Sequence, residues 1–304
     1  MPFVVPSALH DPTRGPGWTA WLDRLPALVA DLLAEWELLA DGDPWHGYCS
    51  VVLPVRTRAG AGAALKLTWP DDTESALEHL ALGHWGGRGA VDLLRADPHR
   101  RALLLERLTT TDLAEVWDVE ACEVVAGFYG RLHVPASPSF GRLSDQVRRW
   151  EAQLADLPRT SPLPRRMVTH ARSLARRFAA DEATDGRLVH TDLHYGNVLA
   201  DAAGRWVVID PKPLSGDPHA ELSPMLLNRF EELAGDVRGG LRRRFETLVD
   251  TALLGEDRAR DWVVLRTVVN AAWTVAEAAD DERDLEPAEQ EWITRCLTVA
   301  KAVQ

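Results

Sequence analysis

Cysteine is scarce. Cys49, Cys122 and Cys296 are the only three in 304 residues, too few and too scattered for a disulfide framework or a paired metal-binding motif. They are read as buried thiols. No stretch reaches the roughly 18 uncharged apolar residues needed to span a bilayer. The opening "MPFVVPSALHDP" has two prolines but neither a basic region nor a long apolar run, so it does not read as a secretion signal. These absences point to a cytoplasmic chain with no membrane partner. Positive charge is also in deficit: 34 Lys and Arg stand against 46 Asp and Glu, a net charge of −12. That balance disfavours nucleic acid and would favour a cationic partner, although acidic surfaces also serve solubility. There is no internal repeat and no low-complexity linker.

What is present is the composition of a folded protein, 46% apolar and 26% charged. At about 150 residues per domain the length allows about two domains. Trp18, Leu22, Leu25, Val29, Leu32 and Trp36 recur at helical spacing, with Pro26 expected to bend or divide the segment. "YCSVVLPVRT" and "AALKLTW" alternate as strands around the turn "RAGAG", "DDTESALEHLALGHW" reads as a helix opening on acidic residues, and "ALLLERL" as a further strand. Residues 1–107 therefore form one α+β domain. In 108–304 the periodicity is helical over 112–133, 142–156, 164–180, 220–234, 237–254, 257–279 and 286–302. "GRLVHTD", "NVLA" and "RWVVID" are the only strand candidates there, a β-island in a helical domain.

That island carries the chemistry. "LVHTDLHYGNVLA" sets Asp192 and Asn197 on one loop, and the hairpin that follows, turning at "DAAG", returns to deliver Asp210 beside them. Converging oxygen donors of this kind suit Mg²⁺, which fills its remaining positions with phosphate oxygens and water. The set matches phosphoryl transfer from ATP, in which one Asp takes a hydroxyl proton, an Asn and a second Asp hold metal, and a strand Lys reaches the phosphates. Upstream, Lys66 lies in the apolar strand "AALKLTW" and Glu78 on the helix after it, placed to pair with the lysine. His190, two residues before Asp192, is suited to bracing the loop backbone. A competing pattern, His190, Asp192 and His194 as transition-metal ligands of a metallohydrolase, leaves Lys66, Glu78, Asn197 and Asp210 without roles. A catalytically silent binding module is disfavoured because every catalytic position is filled.

"VHTDLHYGNVL" with "VVIDPKPLSGDPHAEL" resembles the motif of the aminoglycoside phosphotransferase family. "GDPWHGYCSVVLPVRT" and "HWGGRGAVDLL" resemble in particular its streptomycin and hydroxyurea phosphotransferase branch. The resemblance runs from about residue 40 to 230. It implies a bilobal protein-kinase-like fold, with a small N-lobe built on an antiparallel sheet, a larger helical C-lobe, and ATP in the cleft with adenine against a hinge at Glu106–Thr109, including Leu108. It also implies Asp192 as catalytic base, Asn197 and Asp210 as Mg²⁺ ligands, and Lys66 on the phosphates, held by Glu78. Two departures stand out. Thr191 occupies a position where the family usually has Gly, and no G-x-G-x-x-G is present, a shortage the branch shares. Gly47, Tyr48 and Ser50 are the candidates for the phosphate lid.

The acceptor is expected to be a small molecule with a hydroxyl, bound by a monomer: a cationic aminoglycoside of the streptomycin type, in a setting of antibiotic resistance. A small neutral compound such as hydroxyurea is the alternative. Candidate acceptor residues are Asp217 and Glu221, just after the metal Asp, and Asn270, Trp273 and Glu277 on one face of the helix 257–279.

Overall fold

The computed structural model describes residues 3–158 and 160–304. The chain forms two compact units, and the division is not a single cut near residue 107. The first unit runs to Thr110 and takes in Leu199–Lys212; the second comprises Thr111–Val198 and Pro213–Gln304.

The first unit begins with α1 (Gly15–Glu35), followed by β1 (Leu38–Ala40), β2 (Trp45–His46), β3 (Ser50–Thr57) and β4 (Gly62–Thr68). Then come α2 (Glu78–Trp85), β5 (Leu93–Asp97) and β6 (Ala102–Glu106). The sheet order is β1-β3-β4-β6-β5, antiparallel throughout, with β2 added to the edge of β3. Period-two alternation assigns its faces. Val51, Leu53, Val55, Leu65, Leu67, Ala102 and Leu104 join Trp18, Leu22, Leu25, Val29 and Leu32 of α1 in one core. Lys66 sits between Leu65 and Leu67 and projects from the opposite face.

Pro26 does not divide α1, which is one helix of 21 residues. An interior proline costs about 3 kcal/mol, which the continuous buried stripe of α1 outweighs. The helix expected from Asp71 starts only at Glu78. Residues 71–77 form turns instead, because the Ser75 hydroxyl donates to the Asp72 carboxylate at 2.6 Å and Arg101 donates to the Asp72 carbonyl at 2.5 Å. Cys49 is half-buried, whereas Cys122 and Cys296 are buried as expected.

The second unit holds α3 (Asp118–Leu132), α4 (Leu143–Ala155), α5 (Arg165–Ala180) and β7 (Arg187–Val189). The chain then supplies β8 (Val198–Ala200) and β9 (Trp206–Val208), a hairpin belonging almost wholly to the first unit. There Val91 donates to the Val208 carbonyl at 2.9 Å, and Val208 to that of Gly89 at 2.9 Å, which anchors the strand leading to Asp210.

Back in the second unit come β10 (Leu214–Gly216), α6 (Ser223–Leu227), α7 (Val237–Ala252), α8 (Glu256–Asp280) and α9 (Pro287–Ala302). β10 pairs antiparallel with β7, and only Gly fits at 216, where an added Cβ would stand 2.6 Å from Val189 Cγ2. The single helix expected over 220–234 is broken. Arg229 takes φ = 53° and uses its guanidinium on the carbonyls of Leu113 and Val116, which separates α6 from a 3-10 turn at Phe230–Leu233. Phe178 of α5 stacks on Trp262 of α8 with centroids 4.0 Å apart, at the centre of this helical core. Among the described residues no helix is long and apolar enough to cross a membrane.

Leu65 is fully buried between α1 and the sheet. Leu65→Ala is expected to lower unfolding free energy by about 2–5 kcal/mol in denaturant titration; a loss under about 1 kcal/mol would show that this face is not packed as described.

Candidate active site

In the first unit the central feature is one buried ammonium. Lys66 is 5% exposed, and its Nζ donates to both oxygens of Glu78 at 2.7 Å and to Asp210 Oδ1. The other Asp210 oxygen, Oδ2, accepts from Lys212 Nζ at 3.1 Å. Two cations thus face two carboxylates, and the group carries no net charge. Burial alone would drive Lys66 towards its neutral form, but Asp210 and Glu78 hold it well above the ordinary ammonium range. Burial likewise disfavours the Asp210 carboxylate, and Lys66 and Lys212 reverse this, keeping it far below its usual value. The strand-then-helix order explains how Lys66 and Glu78 meet. Asp210, just past β9, takes φ = 56°, a left-handed conformation.

Lys212 is a member of this set to which the sequence reading gave no role. Its signal was a lysine two residues beyond the Asp, between Pro211 and Pro213. The other nucleotide candidates also lie in this unit. Gly47 donates to the Ser50 carbonyl at 2.9 Å and closes the tip of the β2–β3 hairpin. Glu106 ends β6, Leu108 follows it, and Thr109 donates to the Ala200 carbonyl from both its N–H and its hydroxyl.

In the second unit the loop after β7 is held by its own backbone. His190 is fully buried, and its Nδ1 accepts the Asp192 N–H at 3.2 Å. Asn197 donates through Nδ2 to the Asp192 carbonyl at 2.8 Å. Among the described residues no hydrogen-bond donor engages the Asp192 carboxylate, while its N–H and carbonyl are both taken up. His194 Nδ1 accepts the Gly196 N–H at 3.1 Å. Both loop histidines thus spend Nδ1 on backbone, and no group of three His, Cys, Asp or Glu able to hold a metal occurs among the described residues. Thr191 has φ = 64°, which explains why Gly is usual there: a β-branched residue in this region is strained.

Glu221 stabilises that strained residue. It is 1% exposed; Oε1 accepts the Thr191 N–H at 2.6 Å and Oε2 faces His133 Nε2 at 3.3 Å. The His133 ring stacks on Tyr129. Burial pushes the Glu221 carboxyl up, but His133, His190 and the Thr191 N–H together hold it below its ordinary value of 4.5. Asp217 is similarly committed, accepting from Arg258 Nε and Trp262 Nε1 at 2.6 Å each and from His219 Nδ1 at 2.7 Å. These partners occupy both carboxylates and give them structural work. Of the other acceptor candidates, Asn270 is half-buried, Trp273 donates to Gln153 Oε1 at 3.0 Å, and Glu277 is exposed.

A family model for aminoglycoside/hydroxyurea antibiotic resistance kinases matches residues 35–278. The chain belongs to this family. A streptomycin 6-kinase from Streptomyces glaucescens is 40% identical over 300 residues, covering 94% of this chain and 91% of that protein. A hydroxyurea phosphotransferase from Kitasatospora aureofaciens is 39% identical over 280 residues, covering 88% and 79%. Among solved structures, the choline kinase LicA from Streptococcus pneumoniae superposes with a TM-score of 0.61 at 15% identity, covering 91% of this chain and 98% of that one. An aminoglycoside phosphotransferase APH(4)-Ia, in a ternary complex with ADP and hygromycin B, gives 0.56 at 15% identity, covering 90% and 97%. These likenesses establish the protein-kinase-like α+β fold, and the family makes the chain a small-molecule kinase.

Because the folded value of Glu221 lies below its unfolded one, its contribution to stability is complete above about pH 5 and is lost as pH falls through the depressed value. Glu221→Gln should therefore flatten the acid limb of thermal stability below about pH 5. An unchanged acid limb would mean that Glu221 is not held ionised by this network.

Proposed function

We propose that this protein is an ATP-dependent O-phosphotransferase acting on a small hydroxylated molecule, and that its acceptor is a cationic aminoglycoside of the streptomycin type. The observation that carries the reaction is the buried Lys66 ammonium, held by Glu78 beside an ionised Asp210. Such a group has no structural need to be charged inside a sheet, yet it is what a triphosphate requires. Lys66 holds the α- and β-phosphates, and Glu78 keeps its Nζ in place as phosphate oxygens come and go. Asp192 accepts the proton of the acceptor hydroxyl as that oxygen bonds to the γ-phosphorus and the bond to the ADP oxygen breaks. His190, Asn197 and Glu221 fix the Asp192 loop for this transfer. Donor chemistry in each unit suits a hard divalent cation: Asp210 of the first offers an ionised carboxylate, and Asn197 of the second keeps a side-chain oxygen that accepts no hydrogen bond among the described residues. Mg²⁺ held by such groups would neutralise charge on the phosphates.

The acceptor reading rests on the net charge of −12 and on the streptomycin 6-kinase relative. One observation favours the neutral alternative. With Asp217 and Glu221 committed inside the second unit, Glu277 is the one exposed carboxylate left among the acidic candidates. The hydroxyurea phosphotransferase is also nearly as similar as the streptomycin enzyme.

Asp192→Asn should lower kcat by about 10²–10⁴ while the protein still binds Mg·ATP, measured by ADP release and by nucleotide titration. Turnover equal to the wild type would remove Asp192 from the chemistry. For the acceptor, a panel including streptomycin and hydroxyurea should show turnover with the aminoglycoside, its KM rising with salt more steeply than that of ATP, because charges separated by more than about 8 Å are screened at physiological ionic strength. Phosphorylation of hydroxyurea alone would overturn the cationic assignment and leave the kinase chemistry standing.

A further inference from the structure

The chain has no G-x-G-x-x-G, so something else must fix the backbone that covers the phosphates. Arg14, at the start of α1, is connected to that place. Its Nη1 donates to the Tyr48 carbonyl at 2.5 Å and its Nη2 lies 3.1 Å from Cys49 Sγ. Its guanidinium carbon is 3.5 Å from the Trp18 ring centroid and 4.4 Å from that of Tyr48. Trp18 is fully buried and packs edge-on against Trp69, whose N–H donates to the Cys49 carbonyl at 2.8 Å. The two-residue tip of the β2–β3 hairpin is thus clamped through both carbonyls, and the clamp is anchored in the core. Tyr48 itself is 85% exposed, so burial of its own side chain does not order the tip. The Tyr48 and Cys49 N–H groups have no acceptor among the described residues, and two adjacent free amides are what an anionic oxygen needs. The tip also stands at the Lys66 end of the sheet, since Val52 of β3 pairs with Lys66 and Ser50 with Thr68.

We propose that Arg14 is a positioning residue for the nucleotide, holding the Gly47–Ser50 tip so that its amides cap the ATP phosphates in place of a glycine-rich loop. This rests on reading the protein as an ATP-dependent kinase. Glycine-rich lids owe their close approach to missing side chains; here a fixed Tyr-Cys turn achieves it by being held rigid from behind. Arg14 lies outside the 35–278 family match, so the device belongs to the N-terminal segment that precedes that match. A lysine could supply the charge but not the fork that reaches a carbonyl while stacking on two rings.

Hydrogen exchange with and without Mg²⁺ and a non-hydrolysable ATP analogue tests this directly. The wild type should gain protection at Tyr48 and Cys49 on binding nucleotide. Arg14→Ala should lose that protection and bind Mg·ATP about tenfold more weakly, with KM for ATP rising more than kcat falls and acceptor KM unmoved. Arg14→Lys should recover only part of the affinity. Arg14→Gln gives the same comparison if the alanine variant does not accumulate folded. Nucleotide binding without protection at 48–49, or a folded Arg14→Ala with wild-type affinity, would overturn the proposal. A wild type that binds no Mg·ATP would instead sink the kinase reading and this proposal with it.

Discussion

One ammonium organises the first unit. Lys66 is buried on the sheet face opposite α1, and a lone charge there would cost several kcal/mol. Glu78 and Asp210 make it tolerable, and Lys212 balances the second carboxylate. Each member depends on the others, because removing one leaves an unpaired buried charge. The dependence reaches into the backbone. Strand β4 must present Lys66 on the correct face, α2 must begin at Glu78, and the segment 199–212 must return to this unit to bring Asp210 back. The discontinuity of the unit in sequence follows from that electrostatic requirement.

The second unit does the reverse: among the described residues no donor engages the Asp192 carboxylate, and its loop is held through other groups. Backbone N–H groups go to His190 and Glu221, and the Asp192 carbonyl goes to Asn197. Thr191 bears the strain of the turn, and a buried, ionised Glu221 holds it in place.

Much of this was legible from residue order. An apolar strand with one Lys, a following helix with a Glu, and an H-x-D-x-x-x-x-N loop closed by a hairpin are local patterns whose chemistry restricts their use. What was not legible depended on partners far away in sequence. Asp217 and Glu221 follow Asp210 closely enough to read as acceptor ligands, but in the fold they are engaged by Arg258, Trp262 and His133. Residues 71–77 look like a helix start until Arg101 and Ser75 take up Asp72. The span 220–234 has helical periodicity, and the left-handed backbone of Arg229 interrupts it for the sake of bonds to Leu113 and Val116. Pro26 misled in the opposite direction, because burial along α1 outweighed its local cost. β1, β2, β5 and β10 were missed because a short strand carries little periodicity of its own and is defined by its neighbour.

The central claim is that this chain phosphorylates a hydroxyl at the expense of ATP. Phosphorus-31 NMR of the wild-type protein with Mg·ATP and streptomycin tests it in one experiment. The account predicts loss of the γ-phosphate resonance matched by equal amounts of ADP and a new phosphomonoester on the aminoglycoside. Release of inorganic phosphate with no phosphomonoester on any hydroxylated acceptor would contradict it.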